Sequence, residues 1–122
     1  MPYEHFRAGG KVSIWIGDFS SDVELDDYLN LSRGFERDFN FELNEHDTPE
    51  TSVEAEAAPI SQLVDGFSWS ESYAQSAVKN AEEKGIGAAT TMVVLLNFEY
   101  DPSIAKPNPN APLQFLGAIS FS

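Results

Sequence analysis

Four segments of the chain carry hydrophobic patterns that predict β-strands. Apolar and polar residues alternate over 11–16, aromatic and acidic residues alternate over 35–43, and alternation returns over 113–122. Between them, the run Met92–Leu96 within 88–100 is continuously apolar and rich in branched residues. Such a run predicts a central strand that is covered on both faces.

Two segments show helical spacing instead. The first follows Ser20 or Ser21, either of which can cap a helix, and is expected to end by Gly34. The second runs from a capping box of Ser68 and Glu71 to about Lys84. The buried stripe of this helix is predicted from residues at spacings of three and four: Trp69, Tyr73, Ala74, Ala77, Val78 and Ala81.

In chain order these elements give β-α-β-α-β-β, which predicts an α+β fold. We expect a mainly antiparallel sheet of about four strands with two main helices packed on one side, and the last strand beside the central one. Residues 1–10 lack periodicity and are predicted to form a flexible leader, so the single domain spans 11–122. Residues 45–59 predict a long acidic loop, or an edge segment around 51–54.

Composition narrows the class of protein. Asp and Glu number 20 against 7 Lys and Arg, a formal net charge of -13, and there is no cysteine. Such a charge disfavours nucleic acid and anionic membranes as partners and favours cationic ones. No signal peptide or membrane-spanning run is evident, so we expect a cytoplasmic protein that is a monomer or a weak homo-oligomer.

The acidic residues are concentrated in the first half of the chain. Thirteen lie between Asp18 and Glu56, with only Arg33 and Arg37 among them. Two simpler explanations compete with partner binding: acidity can serve solubility alone, and an acidic strand face can prevent pairing with foreign edges. The clustering itself favours a partner of opposite charge.

The sequence contains no motif that predicts catalysis or a cofactor. There is no nucleophile elbow, phosphate-binding glycine loop or dinucleotide fingerprint. His46 with Asp47 and Glu50 could suggest a metal, but the spacing fits neither a zinc site nor an EF-hand loop. We therefore predict a binding protein rather than an enzyme, with no metal and no cofactor.

Several blocks of the sequence resemble one protein family. VSIWIGDFSSDVELDDYL, FERDFNFELN, VVLLNFEY and QFLGAISF are similar, in this order, to the immunity protein 22 family of bacterial polymorphic toxin systems. The most specific parts are Trp15-x-Gly17, the pair Tyr28-Leu29, and Phe115-Leu116-Gly117, and the similarity extends over residues 11–121. The resemblance implies a small cytoplasmic protein that binds a cognate toxin, expected to be a nuclease, and blocks it without turnover.

Charge and expected exposure, rather than the family, select the candidate contact residues. The acidic candidates lie on the first helix and the strand and loop after it: Asp26, Asp27, Glu36, Asp38, Glu54 and Glu56. Trp15 is either an aromatic anchor for the toxin or an aromatic packed under a helix. The alternative function is a small-ligand or calcium-binding module that uses Trp15 and the acidic 45–56 loop.

Overall fold

The computed structural model describes residues 2–44 and 48–121 and confirms a single α+β domain built on a four-stranded antiparallel sheet. The strands are β1 (Arg7–Gly17), β2 (Glu50–Pro59), β3 (Ala88–Phe98) and β4 (Leu113–Ser120). Their spatial order is β2-β3-β1-β4. The helices are α1 (Asp22–Asp26), α2 (Gly34–Phe39), α3 (Ile60–Val64), α4 (Ser70–Glu83) and α5 (Pro102–Ala105).

A hydrophobic core lies on each face of the sheet. On one face α3 and α4 pack over the branched residues of β1 and β3, with Tyr73, Ala77 and Ala81 fully buried as the helical spacing predicted. The opposite face carries an aromatic core around Trp15, to which α1 and α2 contribute Leu25 and Phe35. The prediction that helices cover only one side was therefore wrong, because the short helices of the first half cover the other.

Residues 35–43 do not form the predicted second strand. They begin with α2, and residues 41–44 that follow have no regular structure. Phe35 and Phe39 are four residues apart, so a helix buries both against Trp15 while the intervening Arg37 stays exposed. Asn40, in the left-handed region at φ 56°, ends the helix.

The predicted flexible leader is largely part of the fold. A 3₁₀ turn, Tyr3–Phe6, leads directly into β1, and both of its end residues are buried in the aromatic core. Their rings contact Phe98 at centroid distances of 4.5 and 5.6 Å. Aromatic burial rather than periodicity fixes this segment, which is why pattern alone missed it.

The last strand pairs with β1, not with β3 as predicted. Its register contains a bulge, with Trp15 opposite Phe115 and Ile14 opposite Gly117, so Leu116 is the extra residue. Gly117 adopts φ +146° beneath α4, whose Asn80 amide donates to the Leu116 carbonyl at 3.3 Å. Because of this bulge, Phe115 packs in one core and Ile119, four residues later, packs in the other, although regular alternation would put both on the same face.

Two further boundaries differ from the prediction. Helix α4 begins at Ser70 and not after a Ser68 cap, because Trp69 occupies the cap position with a left-handed backbone. The 45–59 segment contains the edge strand β2, which extends the predicted 51–54 edge segment to Glu50–Pro59. The described residues include no helix with the length and hydropathy needed to cross a lipid bilayer.

Candidate functional site

Helix α1 and the π-helical turn that follows it, Asp27–Leu31, present a row of exposed carboxylates. The Ser21 hydroxyl accepts a hydrogen bond from the Glu24 N–H at 3.2 Å and so caps α1. Leu25 and Leu29 are buried and fix the helix against the aromatic core. Tyr28 is buried as well, and the other positions face solvent and include four acids: Asp22, Glu24, Asp26 and Asp27.

Two large apolar side chains lie exposed among these acids. Val23 is 78% exposed and Leu31 is 74% exposed, and they flank Asp27 at intervals of four residues. Val23 lies two residues before the buried Leu25 and therefore almost opposite it on the helix. Apolar residues bordered by charge are typical of a protein-binding surface.

A bulge in β2 carries two more of the predicted acids. Val53 lies opposite Thr91 and Ala58 lies opposite Ala89, so four residues of β2 correspond to a single residue of β3. Glu54 and Glu56 belong to this bulged segment and are exposed. We call the exposed acids of α1, its π-helical turn and this bulge the acidic surface: Asp22, Glu24, Asp26, Asp27, Glu54 and Glu56.

The two parts of the acidic surface lie on neighbouring elements. The bulge adjoins the turn before α1, since Thr91 beside Val53 accepts a hydrogen bond from the Phe19 N–H at 3.0 Å. Helix α1 also contacts β2 directly. A shallow depression between them is lined by Asp22, Leu25, Asp26, Leu29, Asn30, Thr48, Pro49 and Thr51.

The other two predicted acids have different surroundings. Asp38 is only partly exposed and accepts hydrogen bonds from the Tyr28 hydroxyl at 2.7 Å and the Asn108 amide at 3.1 Å. It therefore joins α2 to the π-helical turn and to the segment between α5 and β4 that contains Asn108. Glu36 is partly exposed in a depression that also contains Arg33 and Arg37, so positive charge offsets it.

Burial and the Asp38 carboxylate also determine the state of Tyr28. Burial raises the pKa of the Tyr28 phenol far above its ordinary value, and the hydrogen bond and negative charge of Asp38 raise it further. The phenol consequently stays protonated and donates to the carboxylate at neutral pH. Asp38 is thus a structural residue as well as a charged one.

The Trp15 side chain is not accessible to a binding partner. Its side chain is 0% exposed and lies within 5.0 to 6.2 Å, centroid to centroid, of five aromatic rings, among them Phe35 and Phe115. The indole Nε1 has no hydrogen-bond partner within the described ranges 2–44 and 48–121. Of the two predicted roles, packing beneath a helix is the one that this geometry allows, and an anchor role or ligand contact would require the core to open.

No cation neutralises the acidic surface within residues 2–44 and 48–121. The two salt bridges of this part of the chain, Arg7 with Glu4 and Lys11 with Glu99, involve none of its members. The Asp26 carboxylate accepts only a neutral hydrogen bond, from Asn30 at 2.7 Å. The field of these carboxylates is therefore directed into solvent.

The alternative of a cation site in the 45–56 loop receives little support from geometry. His46 and Asp47 lie outside the described residues, and the Glu50 carboxylate accepts a hydrogen bond from the Ser68 N–H at 3.0 Å. In the described part of the chain, no three His, Cys, Asp or Glu side chains are grouped so that they could hold a metal ion.

Sequence pattern missed one further exposed residue. Trp69 was assigned to the buried stripe of the main helix, yet it is 63% exposed. Trp69 precedes the first residue of α4 and has a left-handed backbone, so its side chain does not follow the helical spacing from which the stripe was predicted. The chain thus presents the acidic surface, the apolar residues Val23 and Leu31 within it, and Trp69.

Comparison with known proteins gives one match. A family model described as Immunity protein 22 matches residues 12–122, nearly the whole chain. Neither the curated proteins nor the solved structures contain a significant match.

Proposed function

Because the chain belongs to the immunity protein 22 family, we propose that it neutralises a cognate nuclease toxin in the cytoplasm by covering the toxin's nucleic-acid-binding surface. Inhibition is stoichiometric and needs neither turnover nor a cofactor. The observation that carries the proposal is the acidic surface, whose carboxylates are exposed and unpaired with cations in the described chain.

The physical argument rests on what a nuclease needs. A nuclease holds phosphates with Lys and Arg, so its substrate groove is positively charged. Carboxylates on α1 and on the β2 bulge would meet this groove, and the net charge of -13 would accelerate the encounter at low salt. Val23 and Leu31 would add apolar contact, since charge alone contributes more to rate and specificity than to affinity.

The first experiment tests the function itself. The toxin domain encoded next to this gene is expressed in bacteria alone and together with this protein, and survivors are counted. We expect killing by the toxin alone and survival on co-expression. Equal killing in both cultures would refute neutralisation of that toxin.

The second experiment tests the acidic surface with charge-matched variants. Three double substitutions each remove two of the carboxylates and raise the net charge of -13 by two: Asp26→Asn with Asp27→Asn, Glu54→Gln with Glu56→Gln, and Glu82→Gln with Glu83→Gln on the exposed side of α4. The third pair is the control, because it changes the overall charge equally but lies on another element.

Binding is measured by calorimetry near 150 mM salt, where the Debye length is about 8 Å and distant charges are screened. We expect the first two pairs to weaken toxin binding about tenfold or more and the control pair to change it by less than about threefold. If all three pairs had the same small effect, the acidic surface would act only through net charge and the contact assignment would be wrong.

A further inference from the structure

Trp69 is the one exposed side chain among the aromatic residues. The chain has 2 Trp, 4 Tyr and 9 Phe, all within the described residues, and each of the other fourteen is buried or partly buried. Trp69 by contrast is 63% exposed. A tryptophan left in water forgoes a large burial energy, and tryptophan is also enriched where binding energy concentrates in protein interfaces.

The backbone that carries this side chain is held in place by its neighbours. Trp69 lies in the left-handed region at φ 62°, ψ 16°, which bulky residues rarely adopt. The preceding Ser68 is fixed on both sides: its N–H donates to the Glu50 carboxylate at 3.0 Å, and its carbonyl accepts from the Tyr73 hydroxyl at 3.0 Å. An anchor that is already fixed loses little conformational entropy on binding.

Carboxylates line the depression that contains the exposed indole and the depression that adjoins it. The depression that contains Trp69 also contains Glu71, and the adjoining depression, which shares Phe67 with it, contains Glu50 and Asp65. Neither is lined by a described Lys or Arg. Glu71, in the first turn of α4, also offsets the positive helix end that would otherwise repel a cation.

This region is continuous with the acidic surface. Thr51 at the start of β2 lines both the depression with Glu50 and Asp65 and the depression beside α1 that contains Asp26. Three adjoining depressions therefore extend from α1, around the free edge of β2, to Trp69. A partner that contacts α1 and extends around this edge would reach Trp69.

We propose that Trp69 is an aromatic anchor on which an Arg or Lys side chain of the toxin stacks, held there by the carboxylates of Asp65 and Glu71. A cation over an indole face is the strongest of the cation–π pairs, and neighbouring carboxylates orient and neutralise it. The inference rests on the proposed function, because the toxin supplies the cation, and it extends the contact surface to an element that the charge argument did not include.

The test separates the ring face of Trp69 from its apolar area and from its role in folding. Trp69→Phe keeps an aromatic face, Trp69→Leu keeps apolar area only, and Trp69→Asn keeps neither but tolerates the left-handed backbone. Ile104→Asn is the control, since Ile104 is another large exposed apolar residue, 49% exposed, and lies on α5. Affinity for the toxin domain and the melting temperature are measured for each variant.

We expect Trp69→Asn and Trp69→Leu to weaken toxin binding about tenfold or more, Trp69→Phe by less than about fivefold, and Ile104→Asn not at all. The melting temperature of Trp69→Asn should be unchanged or higher by a few degrees, about 2 to 5 °C, because the backbone strain is relieved. Weaker binding with equal or greater stability is what an anchor predicts and a packing residue does not.

Each contrary result has its own meaning. Normal binding by the wild-type protein together with full affinity of Trp69→Asn would overturn this inference alone. A Trp69→Leu variant that binds as well as the wild type would overturn the cation–π contact. A marked fall in the melting temperature of Trp69→Asn would assign the indole to packing, and absence of toxin binding by the wild type would overturn the proposed function as well.

Discussion

Asp38 offers the sharpest separation between acids that support the fold and acids that face a partner. Its carboxylate accepts hydrogen bonds from Tyr28 at 2.7 Å and from Asn108 at 3.1 Å, whereas the exposed Asp27 side chain has no such partner among the residues that the structure describes. Hydrogen bonds to a charged group contribute about 1.5–3 kcal/mol each when buried. Asp38 is partly exposed, so solvent screening reduces the combined contribution of its two hydrogen bonds to about 2 kcal/mol.

The perturbation is Asp38→Ala, with Asp27→Ala as the matched control. Urea unfolding followed by circular dichroism should show a loss of about 2 kcal/mol for Asp38→Ala and a change within about 0.5 kcal/mol for Asp27→Ala. The loss is limited because the Asn108 N–H still donates to the backbone carbonyl of residue 38 at 2.7 Å.

A second measurement on Asp38→Ala tests the hydrogen bond between Tyr28 and Asp38 independently of stability. The carboxylate contributes to the raised pKa of Tyr28, so its removal should bring the pKa of that phenol down toward the ordinary value. If Asp38→Ala had the same free energy of unfolding as Asp27→Ala, the hydrogen bonds of Asp38 would not stabilise the fold. Asp38 would then again be a candidate for the interface.

Three further outcomes follow from the structure. Ser13→Ala removes the hydroxyl that accepts the buried Tyr100 N–H at 2.9 Å, and urea unfolding should show a loss of about 1–3 kcal/mol; unchanged stability would mean that another acceptor replaces it. Gly117→Ala places a Cβ 2.7 Å from the Asn80 amide nitrogen at φ +146°, so the melting temperature should fall with about 1–3 kcal/mol of strain, and adding Asn80→Ala should recover part of it. Burial raises the pKa of Tyr73 to about 12, so the folded state retains that proton more tightly than the unfolded state. The resulting stability is complete below about pH 10 and is lost as the pH rises toward 12. Absorbance at alkaline pH should show Tyr73 of the folded protein ionising near pH 12, and ionisation near pH 10 in the folded protein would contradict this.

The sequence predicted an element correctly where its hydrophobic residues fitted only one type of secondary structure. The apolar run of Met92–Leu96 and the helical spacing of Ala77 and Ala81 have a single explanation each, and the structure contains both elements as predicted. The prediction for the segment after Gly34 was wrong because its apolar residues fit both the helical spacing and the alternation of a strand. Phe35 and Phe39 satisfy a helix and a strand alike, and only contact with the distant Trp15 favours the helix.

The candidate surface was predictable in charge but not in detail. Charge clustering identified Asp26, Asp27, Glu54 and Glu56, which the structure exposes. Exposure of individual side chains depends on tertiary neighbours, so the burial of Trp15 and the exposure of Trp69 could not be read from hydrophobic pattern alone. Likewise the neighbour of β4 depends on pairing across most of the chain length, which local pattern does not encode.

The pairing of β1 also determines when the protein can fold. β1 is synthesised early, yet it hydrogen-bonds to β3 and β4, and Lys11 contacts Ser120 across a separation of 109 residues. Contacts between residues so far apart in sequence form slowly, because a large loop must close before any of them forms. At about 5–20 residues per second, translation leaves β1 without partners for several seconds. The apolar face of β1 is exposed to aggregation throughout that interval, and the sheet cannot be completed before β4 has been synthesised.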